Sequence, residues 1–222
     1  MNSEEKIIIK KLNKIGVDTR FISLYENEIY INNLKFSKFS RKKEDEFHEY
    51  YPNIKVKRSK LFQKICIKVS RTIKTQIEPR QTLYIENDGS IENILLYIVL
   101  EPYKRKYGIK ITNEYEKNHI KVNNDCLDDF TIKYIDLMTN AEQITDKLEE
   151  KNIYPLTHVP HTWILDWATT NNIKYIKNKK YEKTISTEII EFLEQHIPNV
   201  QESIKQSVNY LDKNNQQNMG KE

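Results

Sequence analysis

The sequence is short of glycine, cysteine, long apolar runs and, over one stretch, acid. Only four glycines occur, at Gly16, Gly89, Gly108 and Gly220, so a glycine standing between a strand and a helix draws notice. The two cysteines, Cys66 and Cys126, lie far apart and outside any metal-ligand spacing. That excludes a cysteine-rich zinc ribbon and suits a reducing compartment. No apolar run approaches the roughly 20 residues of a membrane-spanning helix. The acidic opening Met1-Asn2-Ser3-Glu4-Glu5 lacks the character of a signal peptide, so a cytoplasmic location without membrane contact is expected. No Asp or Glu occurs between Tyr50 and Ile77, where Lys55, Lys57, Arg58, Lys60, Lys64, Lys68, Arg71 and Lys74 all fall. An acid-free basic block of this kind suits an anionic partner, nucleic acid first. A chain of 222 residues suits one large domain, or one domain with a small appendage.

What is present centres on Gly89. Thr82-Leu83-Tyr84-Ile85 reads as a buried strand and Asn87 to Asn93 as a tight turn. Residues 94–107 read as a helix and Gly108-Ile109-Lys110-Ile111 as a second strand. A strand, a glycine turn and a helix start bring unpaired N–H groups and the helix dipole together, which is the chemistry of a phosphate site. His119-Ile120-Lys121-Val122 reads as a third strand. Helices are expected over 127–138, 160–171 and 186–196, with Pro198 breaking the last and a further helix reaching Leu211. Asp125, Asp128 and Asp129 suit the start of the first of these. The alternation of strands and helices predicts an α/β domain with a parallel sheet, right-handed crossovers and a ligand site at the carboxyl edge.

Ahead of this domain, Phe21 to Leu24, Glu28 to Ile31 and Leu34 to Phe36 read as three strands of a small meander. Leu61, Ile65, Val69, Ile73 and Ile77 recur every four residues and predict a helix over 56–77. Lys57, Lys60, Lys64, Lys68 and Arg71 line its flank as candidate RNA contacts. The expected organisation is a β-rich element at 1–55, an α/β domain at 56–211 and a disordered tail at 212–222.

Several of these segments fall into a familiar order. The lead-in Ile77 to Tyr84 and the loop Asp88-Gly89-Ser90-Ile91-Glu92-Asn93 resemble those of the PP-loop tRNA sulfurtransferases, the 2-thiocytidine and 2-thiouridine synthetase family. Asn124-Asp125-Cys126-Leu127-Asp128-Asp129 is similar to the family's G-H-N-L-D-D helix start, and Ile153-Tyr154-Pro155-Leu156 to its I-R-P-L segment. The resemblance covers roughly 56–211. It implies an adenine-nucleotide α-hydrolase-like fold, an ATP or AMP site at Asp88, Gly89, Ser90, Glu92, Asn93, Asp128 and Asp129, and a tRNA partner.

Two departures bear on activity. Against the family's S-G-G-x-D-S loop, Asp88 stands for the first Ser, Ser90 for the second Gly, Glu92 for the Asp and Asn93 for the last Ser. A carboxylate about 5 Å from a phosphate, at an effective dielectric of about 20, opposes it by roughly 3 kcal/mol, on the order of a hundredfold in affinity. The family also carries a cysteine-bearing segment between its second and third strands. Here only residues 113–118 remain, and Lys and Tyr occupy the place of the family's later cysteine near 176–181. The expectation is a diverged, non-catalytic member that holds ATP or AMP weakly and carries no metal cluster. It would bind tRNA, and would pair with itself or with a catalytic homologue. An active ATP-dependent tRNA-modifying enzyme and a nucleotide-binding regulator without RNA are the alternatives.

Each feature has an ordinary structural reading beside the functional one. Asp88 and Ser90 suit simple capping of a strand–helix turn, and Asp128 and Asp129 suit helix-start electrostatics. The basic flank suits a solvated helix face. Trp163 and Trp167, four apart, suit core packing or else a partner patch. His158 and His161 lack a third ligand nearby for a metal.

Overall fold

The computed structural model describes residues 3–141, 152–177 and 184–219. The chain opens with α1 (Ser3–Lys14), a single 3-10 turn (Thr19–Phe21), β1 (Ile22–Tyr25) and β2 (Glu28–Ile31). Then come α2 (Leu34–Ser37), α3 (Arg41–His48) and β3 (Lys55–Lys57). β1 and β2 pair antiparallel, while β3 joins β2 in parallel, with Ile29 opposite Val56. The expected third strand at 34–36 is instead helical, because the Asn33 side chain accepts from Phe36 N–H and starts α2. The third strand comes from the basic block, where Lys55 to Lys57 precede the helix rather than open it.

That helix, α4 (Lys60–Ile73), starts at its cap Ser59 and ends four residues before the expected Ile77. Its apolar stripe buries Phe62, Ile65, Cys66, Val69 and Ile73. β4 (Thr82–Tyr84) follows, then α5 (Ile91–Leu100), α6 (Tyr103–Lys106), β5 (Lys110–Thr112) and β6 (Ile120–Val122). The helix expected over 94–107 starts three residues earlier, because Ser90 caps it, and Pro102 divides it. The rest is α7 (Leu127–Thr139), β7 (Asn152–Ile153), α8 (His161–Asn171), α9 (Ile185–His196) and α10 (Val200–Met219). The backbone of α10 continues to Met219, past Asp212, where the expected tail begins. Residues 220–222 lie outside the described residues.

The second sheet has the order β5-β4-β6-β7, and every pairing in it is parallel. β4 therefore sits between β5 and β6, as expected of the strand that leads into the Gly89 turn. The main core fills the space between this sheet, α4, α5 and α8. A second core lies under α1, α3 and the first sheet. The two meet through side chains. Tyr30 of β2 packs against Phe62 and Trp167, with ring centroids 5.3 and 6.0 Å away. At the other edge Arg105 donates to the carbonyls of Thr19 and Ile22 while paired with Glu101, whose carboxylate accepts from Leu24 N–H. Both members of that pair are almost fully covered, so losing one would leave an uncompensated buried charge.

Candidate functional site

The turn from β4 to α5 places five of the predicted residues together at the carboxyl edge. Gly89 has φ +72°, a left-handed conformation that suits glycine. Ser90 then caps α5, its Oγ accepting from Asn93 N–H at 3.4 Å. Asp88 folds back over the same turn. Its Oδ1 accepts from Ser90 N–H and from the Asn93 side-chain amide, each at 2.8 Å. Burial pushes the Asp88 carboxyl up, but these hydrogen bonds outweigh it and hold the group below the usual carboxylate range. The carboxylate therefore takes a backbone donor that a phosphate loop would offer to its ligand.

Two contacts from distant segments complete the loop. Ile176 N–H donates to Gly89 O at 2.8 Å. The Ile176 side chain lies so close that a Cβ on Gly89 would come within 2.8 Å of its Cδ1. The stretch after α8 thus lies directly on the turn. Glu92, 2% exposed, has its Oε1 3.2 Å from His161 Nε2. The backbone N–H of the same histidine donates to Asp128 Oδ2 at 2.6 Å. His161 therefore brings the Glu92 loop and the Asp128 helix start into one cluster. Asp129 turns the other way, its Oδ2 accepting from Cys126 N–H at 2.8 Å as a helix-start contact.

Both thiols are buried. Cys126 is fully buried, and its Sγ lies 3.7 Å from Asp128 Oδ2, so a thiolate there would face a carboxylate. Cys66 is buried on α4, and that burial pushes its thiol well above the normal range. Among the described residues no three His, Cys, Asp or Glu side chains are placed to hold a metal ion.

The basic flank divides into committed and exposed charges. Lys57 pairs with Glu28 at 3.1 Å and Lys68 with Glu202 of α10 at 2.6 Å. Lys60, Lys64 and Arg71 are exposed. Lys64 and Lys68 lie over the Trp163 ring, 5.8 and 5.5 Å from its centroid, whereas Trp167 is fully buried in the core. His158 completes the α10 contact, its Nδ1 3.3 Å from Glu202 Oε2. The sequence reading missed Ile176, His161 and Glu202. His158 and His161 were noted only as a histidine pair that lacks a third metal ligand, and their separate acid partners, Glu202 and Glu92, left no sign in that spacing.

No family model matches the chain. A curated relative described as "Probable sulfurtransferase", from Methanocaldococcus jannaschii, is 34% identical over 93 residues, which is 41% of this chain and 27% of the relative. The match thus spans about a quarter of that relative's length. The structure is similar to that of the U34-tRNA thiolase NcsA from Methanococcus maripaludis, solved with its 4Fe-4S cluster. The TM-score is 0.55 at 15% identity, over 69% of this chain and 79% of that one. The fold is therefore α/β, a parallel sheet with flanking helices, of the kind that the thiolase shows. This sequence has two cysteines, Cys66 on α4 and Cys126 just before α7, and both are buried.

Among the described residues no helix is long and apolar enough to cross a membrane.

Proposed function

We propose that this chain is a diverged PP-loop ATPase-like protein of tRNA thiolation, one that binds tRNA, a catalytic homologue or both, and does not itself adenylate RNA or transfer sulfur. The observation that carries the reading is the Asp88 carboxylate, held on Ser90 N–H and the Asn93 amide inside the phosphate loop. It puts negative charge where ATP would bring more. ATP or AMP is then a weak ligand. The sequence likeness to a sulfurtransferase and the fold likeness to a tRNA thiolase supply the pathway class. The exposed Lys60, Lys64 and Arg71 supply a face for RNA phosphates. Work in the cytoplasm as a homodimer or beside a catalytic partner belongs to the same proposal.

The test is pyrophosphate release from ATP in the presence of tRNA, run beside a gel-shift titration of the same tRNA. Retained tRNA with no release above background is expected. Release that depends on tRNA would overturn the non-catalytic reading. An active ATP-dependent tRNA-modifying enzyme is the second reading. It rests on Glu92, which keeps an acid at the loop position where the resemblance expects one, buried beside His161. A nucleotide-binding regulator without RNA would instead bind ATP or AMP and leave the tRNA unshifted.

A further inference from the structure

A partly enclosed cavity of about 170 Å³ lies where the N-terminal sheet meets the α/β domain, away from the Gly89 loop. Its walls come from both halves: Phe21, Asn32 and Phe36 on one side, and Cys66, Tyr103 and Lys106 on the other. Junctions between structural units are a common place for small-molecule sites. A cavity of about 150 Å³ is enough for a benzene-sized molecule, so this one admits a single small ring.

The chemistry of the wall is uneven. Most of it is aromatic or aliphatic, with the Asn32 carboxamide at its edge. Lys106 is the one cation in this lining. Its Nζ stands over two ring faces, 4.5 Å from the Phe21 centroid and 4.9 Å from the Tyr103 centroid. Among the described residues no carboxylate forms an ion pair with it. Asp18, whose charge reaches it, is held by Arg20 at 2.8 Å. Burial pulls the Lys106 ammonium below its usual range, as is expected of a cation withdrawn from water without a counterion. A ligand that brings a negative charge and a flat apolar body would relieve this and fill the space.

We propose that this cavity binds a small aromatic carboxylate, with the carboxylate on Lys106 and the ring against the apolar wall that includes Phe36, Cys66 and Tyr103. The site stands apart from the phosphate loop and does not rest on the function proposed above. Benzoate is the probe, with benzyl alcohol as its uncharged match. Ligand-observed NMR and thermal shift on the full chain at millimolar probe are expected to show benzoate binding, and benzyl alcohol at least tenfold weaker. Lys106→Met should weaken benzoate at least tenfold. Ser70→Leu should block it by filling the wall from α4 while leaving Lys106 in place, so the test stands even if the first variant folds poorly. Failure of benzoate to bind the folded wild-type chain would overturn the proposal. So would equal affinity for benzoate and benzyl alcohol, or binding unchanged in Ser70→Leu.

Discussion

The carboxyl edge of the second sheet and the flank of α4 treat charge in opposite ways. At the edge, the polar groups of the turn are turned inward. Asp88 holds Ser90 N–H and Asn93, Ser90 caps its own helix, Glu92 meets His161, and Ile176 lies over Gly89. Along α4, Lys60, Lys64 and Arg71 face solvent, and no acid of their own helix lies near them. A phosphate loop works by offering donors it does not need for itself. This loop has given part of that capacity to its own side chains, while the helix flank keeps its charge available. The two regions therefore predict different affinities for anions: poor for a nucleotide at the edge, good for a polyanion at the flank.

The largest expected effect breaks the flank. Lys60→Glu with Lys64→Glu and Arg71→Glu should weaken tRNA binding on the order of a hundredfold at low salt. Each lost phosphate contact should also flatten the slope of log affinity against log salt by about 0.7 to 0.9. Lys68 is left out because its pairing with Glu202 ties α4 to α10, so its loss would mix stability with binding. Filter binding at several salt concentrations measures both quantities. An unchanged slope would place the RNA contact elsewhere.

The second effect opens the edge. Asp88→Ser removes the carboxylate and should raise ATP affinity tenfold to a hundredfold, from the roughly 3 kcal/mol of repulsion expected at about 5 Å. Equilibrium dialysis with labelled ATP reads it. If ATP binds wild type and variant alike, the charge of Asp88 is not what sets affinity, and the contrast between the two regions loses its physical basis.

Part of this contrast was legible in the sequence, and the reason is locality. The βαβ unit around Gly89 announces itself because a buried strand, a turn and a strongly apolar helix are adjacent in sequence. The loop residues could be named one by one for the same reason. Leu34 to Phe36 looked like a strand by composition, but the Asn33 cap overrode that preference. α1 was not recognised at all, although Ile9 and Leu12 mark a buried face. β3 was hidden because Lys55 to Lys57 sit in a basic run that also suited a helix. What closes the loop was beyond reach. Ile176 and His161 come from the far side of the domain, and Lys68 meets Glu202 across 134 residues. Such pairings follow from the packed fold and leave no local pattern.

A third test bears on the closure itself. Gly89→Ala keeps the loop's charge but adds a Cβ at φ +72°, 2.8 Å from Ile176 Cδ1. The backbone term should cost about 1 kcal/mol. The side-chain contact should add little, because Ile176 is 67% exposed and its end can move aside. Urea denaturation gives the total. A loss well above about 2 kcal/mol would mean that the stretch after α8 is held far more firmly on the loop than its exposure suggests.

The smallest effect concerns the contact that joins the flank to α10, and it appears as a dependence on pH. Burial, together with the neighbouring Lys205, pulls the His158 imidazole below its ordinary value despite the Glu202 carboxylate beside it. Burial raises the Glu202 carboxyl, but hydrogen bonds from Lys68 and His158 outweigh it and leave the group below its ordinary value. In both cases the unfolded chain binds protons more readily than the folded one, so stability falls as pH falls. For His158 the loss begins below about pH 6.5, the value of a free imidazole. For Glu202 it begins only below about pH 4.5, its value before the fold acts on it. Between pH 7.5 and pH 5.5, therefore, His158 should act alone within this contact. The change should be a fraction of a kcal/mol, because the ring keeps contact with solvent that screens it. Thermal melts of the wild type and of His158→Gln across that range isolate it: the variant should lose less stability on acidification than the wild type. A wild type that gains stability towards pH 5.5 through this histidine would mean that the Glu202 attraction outweighs burial. The α4–α10 contact would then be an ion pair strengthened by acid, and the charge of the flank would be more deeply committed to the fold than the exposed Lys60, Lys64 and Arg71 suggest.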